Sequence, residues 1–356
     1  MLEVDGAQHS GSGTLVRTSV AIAALLGEAL RLINIRAKRN PPGLRPQHLR
    51  AVQAVAELCG GTLEGAAVGA EWLIFRPGQT IRPGAYRWDI GTAGSTTMLA
   101  LTVLPVIAFA GGPGTESRLT IEGGLFQDFA PSPFHTQEVL LPLLARLGLE
   151  ARLRIVRPGY VPAGDGIIEL TVRSVHGPLR PMALPSHHGG VQTIRAISLA
   201  SHLASRRVAE RMAESFQAAL KQRGLRAYVE IVNDTSAAQP GAALAAFAYT
   251  KRDCILGADR AGEVRRSAES IGRDVARLLL ADLDSGASVD RFTADQLILY
   301  AALADGTSDY TVPEVTDHVQ SNLWLIEHLL GPRGARVELQ DRRIRITGIG
   351  YRGRSG

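Results

Sequence analysis

The sequence predicts an α/β (α+β) fold: a large domain of three repeated β-α-β-α-β-β units with a small inserted α/β domain. Two observations carry this expectation. A short apolar strand, a glycine turn and an apolar helix recur in the same order along the chain, and one stretch after the second copy breaks that order. Length agrees: 356 residues leave room for two domains of roughly 150 residues each.

The first unit starts with a strand at Leu2–Val4, a glycine-rich turn at Asp5–Gly13 and a helix at Thr14–Gly27. A strand at Leu32–Arg36 leads through Pro41-Pro42-Gly43 into a helix at Gln47–Gly60, and strands at Gly61–Val68 and Glu71–Phe75 close the unit. The second unit repeats this. Tyr86–Ile90 is a strand, Gly91–Thr96 the turn, Thr97–Ala110 a helix, Arg118–Glu122 a strand, Thr136–Leu147 a helix, and Glu150–Val156 and Gly166–Val172 the closing strands. The third copy takes Cys254–Gly257 as its first strand, with a helix at Ser267–Leu283 placed after it. It continues with a helix at Ala294–Ala304, a strand at Tyr310–Val312, a helix at Asp317–Leu330 and strands at Arg336–Leu339 and Arg343–Thr347. The interruption holds a strand at Gly190–Leu199, an amphipathic helix at Ser205–Gly224 and strands at Arg226–Val232 and Ala243–Tyr249. The expected division is therefore 1–180 with 279–356 as the repeated-unit domain, and 181–278 as the insert.

Composition narrows the class. Hydrophobic residues at 45% and charged residues at 21% are ordinary for a globular chain, and the net charge of +5 is too mild to name a partner. Cys59 and Cys254 read as two buried free thiols, and no Cys/His spacing suggests zinc. The chain enters a strand at Leu2 without a basic leader, and its longest apolar stretches, such as Thr102–Gly111, are far short of the roughly 20 residues a membrane helix needs. A cytoplasmic protein without a membrane partner follows. Edge strands of the repeated units could support an oligomer, though nothing marks one.

Three stretches could carry chemistry. The loop Asp5–Gly13 joins a strand to a helix, where backbone N–H groups can cradle an anion; a plain tight turn is the alternative. It is not a P-loop, because no Gly-Lys-Ser/Thr follows, and it lacks the third glycine of a dinucleotide fingerprint. Arg36, Lys38, Arg39, Arg45 and Arg50 lie close beyond it without a carboxylate, and Arg17 sits one turn into the first helix. Such a run is either a solvated face or, next to the glycine loop, a site for a multiply charged phosphate. The second stretch is Phe292-Thr293-Ala294-Asp295-Gln296, where an aromatic ahead of a helix can stack a base, or simply be a buried helix start. The third is Thr316–Asn322. Thr316 or Asp317 gives an N-cap signal, and His318 falls in the first turn, where the helix dipole disfavours a positive charge. That imidazole is either structural or a neutral nucleophile.

Taken together these stretches resemble the RNA 3′-terminal phosphate cyclases. The resemblance rests on Asp5-Gly6-Ala7-Gln8 with Arg17, Arg36-Ala37-Lys38-Arg39, Pro42-Gly43-Leu44 and Gln47-His48-Leu49. It continues through Ile90–Ser95, Pro162-Ala163-Gly164, Ala294-Asp295-Gln296 and the box from His318 to Asn322, in order over almost the whole chain. It implies the repeated-unit fold with an inserted domain. It also implies ATP and a divalent metal (Mg or Mn) as cofactors and an RNA with a 3′-terminal phosphate as partner. The implied reaction forms a 2′,3′-cyclic phosphate through a covalent AMP on His318 and an RNA adenylate. Arg17, Arg36, Arg39 and Gln47 would hold phosphates, Phe292 and Pro131 would flank the adenine, and Asp295 and Gln296 would contact the nucleoside.

Three positions and one segment depart from the family pattern. Ser10 stands where a metal-holding glutamate is common, Leu101 where a glutamine contacts ATP, and Phe292 where a tyrosine is usual. Gly123–Asp128 replaces the usual Gly-Gly-Thr-Asp-Asn-Pro. The metal ligands are therefore unknown. The losses at Ser10 and Leu101 keep a second reading open, a catalytically weak or inactive member acting as an RNA-binding or ribosome-assembly factor. A transferase like enolpyruvyl-shikimate phosphate synthase, suggested by the repeat alone, has two large domains of repeats and fits the chain less well.

Overall fold

A computed structural model describes residues 1–128 and 130–354. The first unit comprises β1 (Leu2–Asp5), α1 (Gly13–Leu26), β2 (Leu30–Ile33), α2 (Pro46–Cys59), β3 (Thr62–Glu64) and β4 (Leu73–Arg76). Its sheet has the order β1-β2-β4-β3, with β1 parallel to β2 and the other pairs antiparallel. The second unit has β5 (Ala85–Asp89), α3 (Thr96–Ile107), β6 (Glu116–Gly123), α4 (Pro133–His135), a π-turn at Thr136–Leu140, α5 (Leu141–Arg146), β7 (Glu150–Arg157) and β8 (Gly166–Arg173). Its order, β5-β6-β8-β7, and its pairing senses are the same.

The insert contains β9 (Val191–Ser201), a 3-10 turn at Ala204–Arg206, α6 (Val208–Lys221), β10 (Tyr228–Asp234), β11 (Gly241–Thr250), β12 (Ile255–Ala261) and α7 (Ala268–Asp284). The last part has α8 (Thr293–Leu303), β13 (Thr307–Thr311), α9 (Asp317–Leu330), a 3-10 turn at Gly331–Arg333, β14 (Arg336–Gln340) and β15 (Arg343–Thr347), with the sheet order β13-β15-β14.

Here the structure corrects the sequence reading. Cys254–Gly257 does not open the third unit, because β12 pairs antiparallel with β11 at the edge of the insert sheet. The first-strand position belongs to Ala183, which bridges Asp309 in the parallel sense, with hydrogen bonds from Leu184 N to Asp309 O (2.9 Å) and Asp309 N to Met182 O (2.8 Å). Pro181 and Pro185 flank this stub and remove the strand signal from the sequence. The insert thus enters directly after a first strand. The expected edge at 278 also falls inside α7, whose Ile271, Val275, Leu279 and Leu283 share one core with Met212, Phe216 and Leu220 of α6. A break at 278 would cut that core.

Sequence explains the layering. Every residue of α3 is buried, as are nearly all of α1 and α8, so these helices are apolar on all sides and take the centre. α1 packs against α2, α3 and α9, and α8 packs against α9. The sheets lie outside: β6 alternates buried and exposed side chains, the mark of a strand with one face in the core. Both cysteines are free and buried. No helix among the described residues is long and apolar enough to cross a membrane.

Candidate active site

The central helices bring their N-termini to one open cleft of about 270 Å³, lined from α1 by Thr14 and Arg17, from α3 by Met98, from α8 by Asp295 and Gln296, and from the start of α9 by Thr316 and His318. Short oxygen-bearing side chains fix each start. Ser12 accepts from Thr14 N (3.3 Å), Ser95 from Met98 N (3.2 Å) and Thr316 from Val319 N (3.2 Å). Ahead of α8, Asp290 Oδ1 accepts from the amides of Phe292 (2.9 Å) and Thr293 (2.8 Å). Several helix N-termini aimed at one space favour an anion there.

His318 lies in the first turn of α9, exposed at the cleft. Its Nδ1 is 3.0 Å from Thr14 Oγ1 and 3.4 Å from Ser12 Oγ, whereas Nε2 makes no hydrogen bond among the described residues. Desolvation against the cleft wall, then the charges of Arg17 and Arg39, hold its pKa below the ordinary histidine value; Asp317 opposes them. The imidazole is therefore neutral at pH 7, with one nitrogen tethered and the other free.

Arg17 is half-buried and makes no ion pair among the described residues; its guanidinium donates only to Thr14 Oγ1 (3.3 Å). Desolvation lowers its pKa to about 10, against the pull of Asp295. A cation kept from water without a carboxylate partner is costly unless an anion joins it. Asp295 is raised to about 6 by desolvation, although Gln296 Nε2 donates to it (3.0 Å) and Arg17 attracts it. Asn322, one turn beyond His318, donates to Asp295 O (3.2 Å) and accepts from Thr18 Oγ1 (2.9 Å), so it ties α9 to both α8 and α1.

Phe292 and Pro131 line the same cleft. His135 meets the Phe292 ring edge-on, with centroids 5.6 Å apart, and its Nε2 lies 3.1 Å from Asp290 Oδ2. Thr293 and Ala294 are buried and do not line the cleft. Thr293 Oγ1 donates to Asp290 (3.1 Å), and Ala294 O accepts from Tyr310 (3.2 Å).

Of the other expected phosphate holders, Arg36 donates to Pro41 O and Gly43 O (both 2.9 Å) and so braces its own loop. Arg39 is exposed and acts on His318 through its charge. Gln47 Oε1 accepts from Ser95 N (3.0 Å) at the start of α3. Burial, followed by the charges of Arg17, Arg36 and Arg45, pushes His48 down to about 3, which marks these arginines as one electropositive cluster. A side chain at Gly13 would meet His48 Nε2 at 2.1 Å, so only glycine fits.

The structure also places the two positions, Ser10 and Leu101, that the resemblance sets apart. Ser10 is buried, its Oγ donating to Ser12 Oγ (2.9 Å) and accepting from Ser321 Oγ (2.8 Å). Leu101 lines a small cavity of about 40 Å³ that adjoins the cleft and shares Thr14, Arg17, Met98, Asp295 and Gln296 with it. Among the described residues no group of three or more His, Cys, Asp or Glu side chains is placed to hold a metal ion. Among the described residues these side chains do not form a cage for a cation.

Sequence reasoning gave no site role to Thr14, Asp290, His48 or Asp128. Thr14 was legible as the residue closing the glycine loop, and Asp290 as a capping residue ahead of Thr293. Asp128 lines the cleft and pairs with Arg266 of the insert (2.7 and 3.0 Å), a contact that no local pattern reveals.

Residues 8–334 match the family described as RTC: RNA 3′-terminal phosphate cyclase. A protein of Methylococcus capsulatus named RNA 3′-terminal phosphate cyclase is 37% identical over 334 residues, covering 92% of this chain and 90% of its own. Proteins of the same name from Nitrosospira multiformis and Pyrobaculum neutrophilum are 38% and 35% identical, covering 94% and 98% of this chain and 92% and 99% of theirs.

Proposed function

The chain belongs to the RNA 3′-terminal phosphate cyclase family, and on that premise we propose that it converts an RNA 3′-terminal phosphate to a 2′,3′-cyclic phosphate with ATP as the consumed activator. The observation that carries this reading is His318, a neutral imidazole whose Nδ1 shares Thr14 Oγ1 with Arg17, with Nε2 free and the arginine unpaired among the described residues.

The tether leaves Nε2 as the attacking atom when Nδ1 carries the proton. In that tautomer Nδ1–H donates to Thr14 Oγ1 and the lone pair sits on Nε2. Nε2 attacks the α-phosphorus of ATP, pyrophosphate leaves, and AMP stays bound to His318 as a phosphoramidate. An oxygen of the RNA 3′-phosphate then attacks the same phosphorus, the N–P bond breaks, and an RNA–adenylate anhydride forms. The neighbouring 2′-hydroxyl loses its proton as it attacks the 3′-phosphorus; AMP leaves and the cyclic phosphate remains. A phosphate monoester is a poor electrophile, and the anhydride supplies its leaving group. Arg17 stabilises charge in transfer, with Arg36 and Arg39 on the neighbouring loop and Gln47 in the first turn of α2 as the holders of the RNA end. Phe292 and Pro131 form a slot for the adenine, and Asp295 and Gln296 lie where they can meet the nucleoside. A divalent cation, Mg or Mn, would be brought in by the ATP phosphates and would neutralise their charge, since the described residues include no group of three or more His, Cys, Asp or Glu side chains to hold it.

The closed serine cluster at Ser10 favours a second reading, a member with weak catalysis that binds RNA ends. One experiment separates the two. Incubation with ATP labelled at the α-phosphate and Mg or Mn should leave an acid-labile label on the denatured protein, absent from His318→Ala. No label with either metal would favour the binding role. An RNA with a 2′-deoxy terminal residue should stop at the adenylate.

A further inference from the structure

We infer that the cavity between the insert and the second unit binds the RNA strand upstream of its 3′ end through backbone phosphates. This inference rests on the cyclase reading for the identity of the ligand. The cavity is about 510 Å³ and lies between the Tyr160–Val161 segment and the starts of α6 and α7.

Its chemistry is that of a phosphate site. Arg206, Arg211, Arg265 and Arg266 line it, with Glu263 as the carboxylate. Arg211 is matched by Glu269 (2.7 and 3.0 Å), and Arg266 by Asp128 and Glu263. The guanidinium groups of Arg206 and Arg265 are exposed and have no partner among the described residues. The N-termini of α6 and α7 open beside them, helices of 14 and 17 residues. On the rim stand two large apolar side chains, Val161 at 58% exposure and Val264 at 87%. Free arginines next to exposed apolar surface suit a strand whose phosphates and base faces must be met together.

Position points to a polymer rather than a small anion. Gln47 caps α3 through Ser95 N, and its side chain backs onto Gly94. On the far side of that turn, a Cβ at Gly164 would lie 3.0 Å from Ala93 Cα, so the loop holding Pro162-Ala163-Gly164 rests against the turn. Gln239 then ties the loop to the insert, accepting from Ala163 N (3.3 Å) and donating to Tyr160 O (2.7 Å). A chain of packing contacts thus runs from the residues proposed to hold the RNA end, through the second glycine turn and this loop, to the edge of the cavity. Asp128 and Arg266, paired with each other, form the wall it shares with the nucleotide cleft. A strand anchored by its terminal phosphate has this path along which to lay its next phosphodiesters.

The test is binding of 5′-labelled single-stranded RNAs by fluorescence anisotropy, using a 3′-phosphorylated dinucleotide, hexamer and dodecamer. It compares wild type with the double variant Arg206→Ala, Arg265→Asn; asparagine suits the left-handed backbone at Arg265, where φ is 70°. The single variant Arg206→Glu serves as a second probe. Affinity of the wild type should rise with length. The double variant should bind the dodecamer roughly tenfold more weakly, with a salt slope shallower by about 1.4, and bind the dinucleotide as wild type does. Equal loss on the dinucleotide, no loss on the dodecamer, or competition by inorganic tripolyphosphate as effective as by RNA would each overturn the proposal. A 3′-hydroxyl dodecamer keeps the two readings apart. If wild type cyclises nothing yet loses this strand on mutation, the cyclase reading fails and the strand site stands; if it cyclises short ends but shows no length dependence, the reverse holds.

Discussion

Replacing Asp295 by asparagine should stabilise the ligand-free protein at neutral pH and leave it unchanged in acid. Desolvation raises this carboxyl from an ordinary 3.8 to about 6 in the folded chain. Between those values the folded state keeps a proton that the unfolded chain has released. Stability therefore falls as pH rises through this window, and the loss is complete above it. A gap of about two pK units corresponds to about 3 kcal/mol, and partial exposure of the side chain reduces this to about 1–2 kcal/mol. Asparagine keeps the volume and retains an oxygen for the amides of Gln296 and Asn322, so the rest of the network persists. Urea unfolding of both proteins across about pH 4 to 8 measures the difference directly. It should be near zero at the acid end and grow to about 1–2 kcal/mol in favour of the variant at the neutral end. A difference independent of pH, or one favouring the wild type at neutral pH, would refute the reasoning and mean that attraction to Arg17 outweighs desolvation.

Other consequences follow from the same geometry. Phe292→Ala should weaken ATP binding by roughly tenfold, the worth of one aromatic–base stack, and Phe292→Tyr should restore it; isothermal titration with ATP measures both. Because desolvation and two arginines depress His318, the acid limb of the self-labelling rate should lie below the ordinary histidine pKa of 6.5. Arg39→Gln should move that limb upward, and single-turnover labelling against pH decides the point. Ser10→Glu forces a carboxylate into the Ser10–Ser12–Ser321 cluster and should cost about 2–4 kcal/mol in metal-free buffer, partly regained with Mn or Mg. An unchanged melting temperature without metal would show that the cluster can open freely.

Much of the fold was legible because its signals are local. Apolar runs of helical length, glycine at turns and period-two alternation located the strands and helices of the first two units to within a few residues. The exception is instructive. Cys254–Gly257 looks like any first strand, and only pairing with β11 shows that it edges the insert. Ala183, held by a single bridge between prolines, carries no alternation to read, although it completes the third unit. The site divides in the same way. His318, Arg17, Phe292 and Gln296, which line one cleft, were singled out by residue type and position at helix starts. Their partners were not, since Thr14 is 304 residues from His318 in the chain and Asp128 is 138 from Arg266.

The sequence by itself determined which groups this protein can bring to a reaction: a histidine in a helix's first turn, a cluster of arginines and an aromatic ahead of a capped helix. Tertiary structure alone decided the state of those groups. Packing α1 against α9 tethers Nδ1 of His318 and, among the described residues, leaves Nε2 free and Arg17 without a carboxylate within ion-pair distance, while burial raises Asp295. Hydrogen-bond partners and desolvation depend on what the fold places within a few ångströms, and for this cleft those neighbours come from helices hundreds of residues apart.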